Sequence, residues 1–199
     1  HTMQPNLITV KEAAAYLRIP IPTVYYLVQK NQLPAVQIGG RWRIKKDELD
    51  SQILNKAENG NKSAAPVYTP QILIVDDEPM IHQLIKDVLK DEPCQLHSAM
   101  DGRDAINKIR AQKFDLMFLD MIMPLMKGDE IYEWVVKSQP NLLVVIITAF
   151  IDNKVLDRVL SHGPVTILSK PINIFQLRNL THSLLKLAPP RTEATQTVS

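Results

Sequence analysis

Three consecutive carboxylates raise the first chemical question in this sequence. An apolar segment, residues 72–75, runs directly into Asp76, Asp77 and Glu78. Carboxylates this close repel one another, and each raises the pKa of its neighbours unless a cation lies among them. Hard divalent cations such as Mg²⁺ bind oxygens of this type. The segment therefore predicts a cation site, although Asp77 followed by Pro79 also fits an ordinary helix N-cap with proline in the first turn.

Further polar residues lie at the ends of other apolar segments. Helical patterns alternate with five predicted strands, at residues 72–75, 94–99, 114–120, 142–149 and 165–170. This alternation predicts a doubly wound α/β fold whose functional crevice lies at the carboxyl ends of parallel strands. Asp120, Thr148 and Lys170 come at three of these ends and should therefore meet Asp76 and Asp77. Each has an ordinary structural explanation by itself, but together they favour a site for a phosphoryl group carried on a carboxylate.

The order of these motifs resembles that of a known family. Asp76-Asp77, the segment DMIMPLMKG at residues 120–128, Thr148-Ala149 and Lys170-Pro171 are similar to the motifs of the response-regulator receiver domain. The resemblance implies a flavodoxin-like, five-stranded parallel sheet with strand order 2-1-3-4-5. It also implies that a sensor histidine kinase phosphorylates an aspartate in the presence of Mg²⁺.

The receiver resemblance implies a role for each motif residue. Asp120 is the expected phosphoryl acceptor, and Thr148 and Lys170 are the expected contacts of the phosphoryl oxygens. The expected Mg²⁺ site comprises Asp77, Asp120, the backbone carbonyl of Ile122 and, through water, Asp76.

Two further positions bear on how long a phosphoryl group would survive. In the family, the residue two after the acceptor and the residue two after the threonine flank the incoming water, and here these are Ile122 and Phe150. Neither side chain can hydrogen-bond to a water or orient it, so we expect a long-lived acyl phosphate. The aromatic residue usual three positions before the lysine is Ile167 in this chain, so we expect a muted rearrangement between threonine and aromatic.

Composition divides the chain into two regions. Residues 59–70 are rich in Gly, Pro, Asn, Ser and Ala, which is typical of a linker. We predict an N-terminal domain at residues 4–58, a receiver domain at residues 71–188 and a disordered tail at residues 189–199. The net charge of +2 conceals an asymmetry, because residues 3–58 carry eight Lys and Arg against five Asp and Glu, whereas residues 71–188 carry thirteen against fifteen.

The N-terminal region has the pattern of a small winged helix-turn-helix domain. Thr9 and Glu12 form a predicted capping box at the start of a short amphipathic helix. A second helix is predicted over residues 23–30, because Pro22 suits the first helical position. Two short strands about a Gly39-Gly40 turn follow. Two helices that meet at a tight turn and precede a hairpin are typical of this class of domain.

Residues 6–54 resemble the excisionase-type, MerR-like DNA-binding domain. The residues that carry the resemblance are Thr9, Glu12, Ala13, Ala14, Leu17, Thr23, Val24, Tyr25, Leu33, Pro34, Gly40, Arg43, Asp47 and Leu49. The resemblance implies that the second helix enters the major groove of double-stranded DNA and that the wing follows the backbone or the minor groove. Asn31 stands where the family usually has Gly, although Asn tolerates a left-handed backbone. Pro20 and Pro22 leave the angle of the second helix open.

The candidate DNA-contacting residues lie on the second helix and on the wing. They are Thr23, Tyr25, Tyr26, Gln29, Lys30, Arg41, Trp42, Arg43 and Lys45. Guanidinium and ammonium groups on the wing suit phosphates of the DNA backbone. The alternative is a small basic domain whose charges are only solvated, or one that binds protein.

The combined prediction is a DNA-binding response regulator of a two-component phosphorelay, acting on transcription. The alternative is a phosphorelay adaptor whose small domain binds protein. An aspartate-dependent phosphohydrolase would want Asp two residues after Asp76, where this chain has Glu78, so we predict no enzyme. Because one such module buries only about 600–1,000 Å² of DNA interface, we expect a homodimer, favoured by phosphorylation, to raise the DNA affinity through avidity.

Composition also bears on the compartment. The single cysteine, Cys94, cannot form an internal disulfide, which is typical of a reducing compartment. The longest apolar run, residues 142–151, is about half the length of a membrane-spanning helix. The sequence therefore predicts a cytoplasmic protein with no membrane partner.

Overall fold

The computed structural model describes residues 6–58, 68–150, 152–163 and 165–187. Most of the predicted linker and the whole predicted tail lie outside these residues. The described chain contains a three-stranded antiparallel sheet near the N-terminus and a five-stranded parallel sheet after it. No helix among the described residues is both long and apolar enough to cross a bilayer.

The N-terminal domain combines three helices with a small sheet. Its elements are β1 (Leu7–Thr9), α1 (Val10–Leu17), α2 (Ile21–Gln29), β2 (Ala35–Ile38), β3 (Arg41–Lys45) and α3 (Lys46–Glu58), and the strand order is β1-β3-β2. The two helices and the hairpin were predicted from the sequence. Strand β1 and helix α3 were not, because a three-residue strand and a helix with a weak apolar face leave little pattern.

Local chemistry explains where these elements begin and turn. The hydroxyl of Thr9 accepts from the backbone N–H of Glu12 at 3.1 Å, and the Glu12 carboxylate accepts from the N–H of Thr9 at 2.7 Å. This is the predicted capping box. Gly39 and Gly40 have φ of +57° and +73°, as a tight hairpin turn requires. Asn31 has φ of +53°, so it adopts the left-handed conformation that Asn tolerates.

The second domain is built from alternating strands and helices. Its elements are β4 (Gln71–Val75), α4 (Pro79–Leu89), β5 (Gln95–Ala99), α5 (Gly102–Ala111), β6 (Leu116–Asp120), α6 (Gly128–Ser138), β7 (Leu143–Thr148), α7 (Asn153–Leu160), β8 (Thr166–Ser169) and α8 (Ile174–Leu187). The parallel sheet has the order β5-β4-β6-β7-β8, which is the predicted order 2-1-3-4-5. The predicted fold class is therefore confirmed.

Apolar side chains on both faces of the parallel sheet hold the helices in two layers. Ile72 and Ile74 of β4 pack in one layer with residues of α4 and α8. Leu73 and Val75 pack in the other layer with residues of α5, α6 and α7. Alternate residues of a strand point to opposite faces, so a strand that is apolar throughout must be covered on both sides.

The two domains share one apolar core. The buried residues of α1 and α2 belong to the same cluster as those of α4 and α8. The hydroxyl of Ser183 on α8 donates to the carbonyl of Leu17 at the end of α1, at 2.8 Å. The N-terminal domain is thus packed against the receiver-like domain, and α2 lies next to β7 and β8.

Candidate functional site

The polar residues predicted to meet do lie together at one edge of the parallel sheet. Asp76 directly follows β4, Asp120 ends β6, Thr148 ends β7 and Lys170 directly follows β8. Asp76, Asp120 and Thr148 are buried, and the Lys170 side chain is only 13% exposed. Parallel strands place their carboxyl ends at the same edge, so the topology brings residues from distant parts of the chain into one crevice.

The three aspartates form a compact cluster of oxygens. One carboxylate oxygen from each of Asp76, Asp77 and Asp120 lies within 4.8 Å of the others. Asp77 is the most accessible of the three. Oxygens at this spacing suit a small hard cation such as Mg²⁺.

Lys170 partly neutralises the acidic cluster. Its ammonium lies 2.7 Å from a carboxylate oxygen of Glu78, 2.9 Å from Oδ2 of Asp76 and 3.1 Å from Oδ2 of Asp120. Burial alone would lower the pKa of Lys170, but its hydrogen bonds to Glu78, Asp76 and Asp120 outweigh burial and raise it. The lysine therefore stays charged and offers one positive charge to several carboxylates.

The remaining electrostatics of the cluster favour a further cation. Burial raises the pKa of Asp120, and the neighbouring charge of Asp76 raises it further, while hydrogen bonds from Ile122 and Lys170 oppose the shift. Oδ2 of Asp76 is buried and shares the single ammonium of Lys170 with Glu78 and Asp120. One positive charge among these carboxylates leaves the cluster net negative, so these residues fit Mg²⁺.

Two backbone groups orient the side chains of Asp120 and Thr148. Oδ1 of Asp120 accepts from the N–H of Ile122 at 3.0 Å, which fixes the direction of the carboxylate. The hydroxyl of Thr148 donates to the carbonyl of Phe150 at 2.7 Å, so it is engaged with the loop after β7. The backbone carbonyl of Ile122 as a metal ligand stays a prediction.

Two supporting residues were not among the predicted site residues. A Cβ at Gly128 would clash with the Asp120 carbonyl, so the start of α6 approaches the Asp120 backbone too closely for any residue with a side chain. His82 is buried, and its Nε2 lies 2.6 Å from the carbonyl of Asp76, which fastens α4 to the acidic loop. The glycine at the end of the DMIMPLMKG segment was a signal, whereas His82 gave none.

An apolar depression lies next to the end of β6, where Asp120 is placed. Ile122 and Phe150 line it together with Val155, and they are 59% and 69% exposed. These are the two residues predicted to flank the incoming water. Ile167 lies in β8, where it is partly buried against the apolar layer of α6 and α7.

The predicted DNA-contacting residues differ in how far their side chains are exposed. Tyr25, Gln29 and Arg41 are exposed, while Lys30, Trp42, Arg43 and Lys45 are half-buried. The expectation that Thr23 and Tyr26 project freely from α2 is wrong in this structure, since they are 0% and 2% exposed. Both are covered by the parallel-sheet domain, and this packing has no signature in the local sequence.

Comparison with known families shows to which protein family the chain belongs. The model of the response regulator receiver domain matches residues 72–182, which is more than half of the chain. The chain belongs to the response regulator receiver domain family. A helix-turn-helix domain model matches residues 7–55 of the same chain. The protein is therefore a response regulator that joins a receiver domain to an N-terminal helix-turn-helix domain, which is the architecture of a regulator.

Individual relatives of this response regulator agree with the family assignment. Sporulation initiation phosphotransferase F of Bacillus subtilis is 32% identical over 117 residues, which cover 59% of this chain and 94% of that protein. The sensor histidine kinase RcsC of Salmonella typhi is 32% identical over 162 residues, which cover 81% of this chain but 17% of RcsC. A CheY-like response regulator receiver domain protein from Methanospirillum hungatei has a TM-score of 0.56 and 26% identity, covering 60% of this chain and 97% of that one. The chain spans only 17–30% of the length of several curated relatives that it matches.

Proposed function

We propose that this response regulator is phosphorylated on Asp120 by a sensor histidine kinase and controls transcription as a DNA-binding protein of the cytoplasm. The observation that carries the proposal is the set of charges around Asp120. Two further aspartates lie within 4.8 Å, and the ammonium of Lys170 lies 3.1 Å from Oδ2. This set can hold a divalent cation and a phosphoryl group at the same time.

The residues act on the transfer as follows. A carboxylate oxygen of Asp120 attacks the phosphorus of a phosphohistidine, so that a P–O bond forms and the P–N bond breaks. The N–H of Ile122 holds the other carboxylate oxygen, which orients the nucleophile. Lys170 supplies positive charge beside the new phosphoryl oxygens, and the hydroxyl of Thr148 turns from the Phe150 carbonyl to donate to one of them.

Mg²⁺ has a defined place in this proposal. Asp77 and Asp120 would hold it, with the carbonyl of Ile122 and, through water, Asp76. The ion would supply charge neutralisation at the phosphoryl oxygens during transfer. The chain's own residues supply the nucleophile and orient it. In this proposal the only covalent change is the phosphorylation of Asp120.

Intact-mass measurement tests the acceptor. Incubation with acetyl phosphate and Mg²⁺ should add one phosphoryl mass to the wild-type chain and none to the Asp120→Asn variant. Asp91→Asn, which changes an exposed carboxylate outside the site, is the matched control and should label like the wild type. Equal labelling of the Asp120→Asn variant, or labelling that is indifferent to removal of Mg²⁺ by a chelator, would contradict the assignment.

The DNA-binding part of the proposal is supported by the wing. Arg41 is exposed at the Gly39-Gly40 turn, and Trp42, Arg43 and Lys45 follow it along β3. Selection of genomic fragments on the phosphorylated protein should enrich discrete duplex sequences, with two half-sites if the expected homodimer binds. Recovery of no enriched sequence would contradict DNA binding.

One observation favours a second candidate, the phosphorelay adaptor. The face of α2 that carries Thr23 and Tyr26 is already packed against a protein surface. An adaptor would use this domain to bind protein, with phosphorylation changing its partner. Parallel capture experiments with immobilised phosphorylated protein, one on genomic DNA and one on the cognate kinase and its associated proteins, separate the two candidates.

A further inference from the structure

A buried histidine lies directly behind the acidic cluster. His82 is the fourth residue of α4 and is 4% exposed. It lies with Ile85 and Leu89 among the buried residues of α4, on the side of the helix that packs against the parallel sheet. An apolar side chain at this position would bury no polar atom, whereas a buried imidazole costs stability unless it is hydrogen-bonded. The hydrogen bonds of the ring therefore indicate what His82 does there.

The two ring nitrogens of His82 have different surroundings. Nε2 lies 2.6 Å from the carbonyl oxygen of Asp76, in a buried hydrogen bond. Because a carbonyl oxygen can only accept, Nε2 carries the hydrogen and donates it. Nδ1 is buried and has no hydrogen-bond partner among the described residues. The ring is therefore oriented by the Asp76 carbonyl, and it holds that carbonyl in turn.

The carbonyl that His82 holds belongs to the peptide group between Asp76 and Asp77. A peptide group is planar, so fixing the direction of its C=O also fixes the N–H and the Cα of the next residue. A rotation of this plane would turn the carboxylates of both aspartates at once. One oxygen of each now lies within 4.8 Å of an oxygen of Asp120. The bond from His82 therefore acts on the spacing of the whole cluster.

Other hydrogen bonds hold the neighbouring peptide groups of this loop. The N–H of Asp76 donates to the carbonyl of Ala99 at 3.2 Å, at the end of the pairing between β4 and β5. The N–H of Glu78 donates to Oδ1 of Asp76 at 2.8 Å, just before α4 begins. These bonds act on the peptide groups before Asp76 and after Asp77. His82 acts on the group between the two aspartates.

We propose that His82 is a positioning residue of the cation site: its Nε2–H holds the peptide between Asp76 and Asp77 in the orientation that lets their carboxylates bind a divalent cation together with Asp120. The inference rests on the proposed function and names a residue that prepares its Mg²⁺ site. Mg²⁺ demands nearly ideal octahedral geometry, so its affinity depends on the direction of each oxygen. His82 acts through the backbone of the ligands and not on the ion itself.

A matched pair of substitutions separates positioning from core packing. Gln and Met are both unbranched and of similar length, but only Gln ends in an N–H donor. His82→Gln can still donate to the Asp76 carbonyl, whereas His82→Met fills the same space without donating. If His82 only filled the core, the apolar Met variant would be at least as good a substitute in every measurement. Positioning predicts that Gln is the better substitute for Mg²⁺ binding.

The first measurement is the dissociation constant of the full chain for Mg²⁺ alone, by calorimetric titration after a chelator has removed divalent cations. The His82→Met variant should bind about tenfold more weakly than the wild type, as is usual when a group that orients a metal ligand is lost. The His82→Gln variant should stay within about threefold of the wild type. Wild-type affinity in the Met variant, or affinity in the Gln variant no better than in the Met variant, would overturn the proposal.

Two control variants exclude general effects on α4 and on stability. Gln83→Met introduces the same side chain at the next position of α4, where the native residue is exposed. Ile109→Val removes one methyl group from the buried side of α5 and lowers stability away from the cluster. Both should bind Mg²⁺ like the wild type. Weaker binding by the Ile109→Val variant would explain the Met variant by lost stability alone and would overturn the positioning role.

The second measurement separates cation binding from phosphoryl transfer. The N–H of Ile122 orients the Asp120 carboxylate, and His82 does not contact it. The His82→Met variant should therefore need about tenfold more Mg²⁺ for half-maximal labelling by acetyl phosphate, with a rate at saturating Mg²⁺ within about twofold of the wild type. At saturating Mg²⁺ it should also bind beryllofluoride, a mimic of the phosphoryl group, like the wild type. A lower saturated rate with an unchanged Mg²⁺ requirement would overturn the proposal.

The calorimetric and labelling measurements fail independently. A wild-type chain that binds Mg²⁺ but takes no label would refute the proposed phosphorylation, while the order of the Gln and Met variants in calorimetry would still decide the role of His82. A wild-type chain that takes label, with equal Mg²⁺ affinity in the wild type and the Met variant, would leave the proposed function intact and refute the positioning role.

A third measurement needs no substitution at His82. Donation to the Asp76 carbonyl requires a hydrogen on Nε2, whichever state Nδ1 has. The ¹⁵N chemical shifts of the two ring nitrogens in the wild-type chain report where the hydrogen lies. We expect a hydrogen on Nε2 both with and without Mg²⁺. A ring without a hydrogen on Nε2 would overturn the proposal, because it could not hold the carbonyl.

Discussion

The two ends of β7 and β8 are held by opposite kinds of interaction. At the carboxyl end, the single ammonium of Lys170 is shared among Asp76, Glu78 and Asp120, so the cluster keeps a net negative charge. At the amino end, neutral hydroxyls of Thr23 and Tyr26 meet a hydroxyl and a backbone amide. The stability of the carboxyl end therefore depends on the cations available to it, whereas the stability of the amino end depends on packing.

This difference predicts how each end would respond to the proposed phosphorylation. A charged, incompletely compensated cluster changes its free energy strongly when a cation or phosphoryl group arrives. A neutral, satisfied contact is indifferent to ions but is sensitive to small displacements, because its hydrogen bonds have strict geometry. Between the two ends, residues 143–147 of β7 are apolar and buried, so this strand can carry a displacement from one end to the other.

The largest effect is expected from removing the lysine at the charged end. Without Mg²⁺, Lys170→Ala should lower the free energy of unfolding by about 3 kcal/mol, because it leaves buried carboxylates without their cation. Added Mg²⁺ should restore much of the loss, since it binds the folded cluster only. Thermal denaturation with a Mg²⁺ titration measures both, and it should give no rescue if the cluster is not a cation site.

The matched control for this variant is Lys137→Ala. Lys137 is an exposed lysine in the last turn of α6, remote from the acidic cluster. Its removal should change the free energy of unfolding by less than about 0.5 kcal/mol, with or without Mg²⁺. Equal losses of unfolding free energy in the two lysine variants would contradict the role of Lys170 as the cation that stabilises the charged end.

Substitution at the neutral, amino end should lower the free energy of unfolding by a smaller amount, and this amount should not depend on Mg²⁺. Tyr26→Phe should cost about 1–2 kcal/mol, because the buried N–H of Val144 loses its acceptor while the ring remains. Tyr25→Phe is the control on the adjacent, 41% exposed tyrosine, and it should be nearly neutral. Denaturant unfolding of both variants with and without Mg²⁺ would show whether the contact is as specific as its geometry indicates.

The lifetime of a phosphoryl group on Asp120 provides a second test of the charged end. Phe150→Glu and Ile122→Asn should each shorten the lifetime about tenfold, because a carboxylate or amide can orient the attacking water and the native side chains cannot. Phe175→Glu is the control, since Phe175 is a phenylalanine of the same 69% exposure on α8. Loss of label can be followed by intact mass, and loss within seconds in the wild type would contradict the prediction.

The smallest effect is expected at the wing, where Arg41 is exposed. Arg41→Gln should weaken DNA binding a few-fold and make the slope of log affinity against log salt shallower by about 1. Lys113→Gln changes an exposed lysine of the other domain, between α5 and β6, and serves as control. Titrations at several salt concentrations, with and without beryllofluoride, would show an unchanged slope if Arg41 makes no phosphate contact.

Much of the receiver site was predictable because topology constrains it. Once residues 72–75 and 114–120 are taken as parallel strands, Asp76 and Asp120 must lie at one edge of the sheet, whatever the details of packing. The role of Glu78 was not predictable, since its contact with Lys170 depends on how the loop after β4 folds. The same holds for His82, whose bond to the Asp76 carbonyl follows from the placement of α4.

The helix-turn-helix domain was predictable in its local geometry. The Thr9–Glu12 capping box, the Gly39-Gly40 turn and the left-handed Asn31 are all encoded within a few residues of chain. The first turn of α2 was placed two residues late, because Ile21 precedes Pro22 inside the helix. Proline lacks an N–H that the first turn does not need, so it marks the start of a helix only approximately.

The sequence alone therefore determined the sheet order, the acidic cluster with Thr148 and Lys170, and the joining of a receiver domain to a helix-turn-helix domain. Short-range patterns and strand ends carry this information, and neither depends on how domains pack. Only the tertiary structure decided that Thr23 and Tyr26 are buried against β7 and β8. Threonine and tyrosine suit a DNA groove and a protein interface equally well, because a hydroxyl can donate or accept in either. The partner that satisfies it is chosen by long-range packing, which no local pattern specifies.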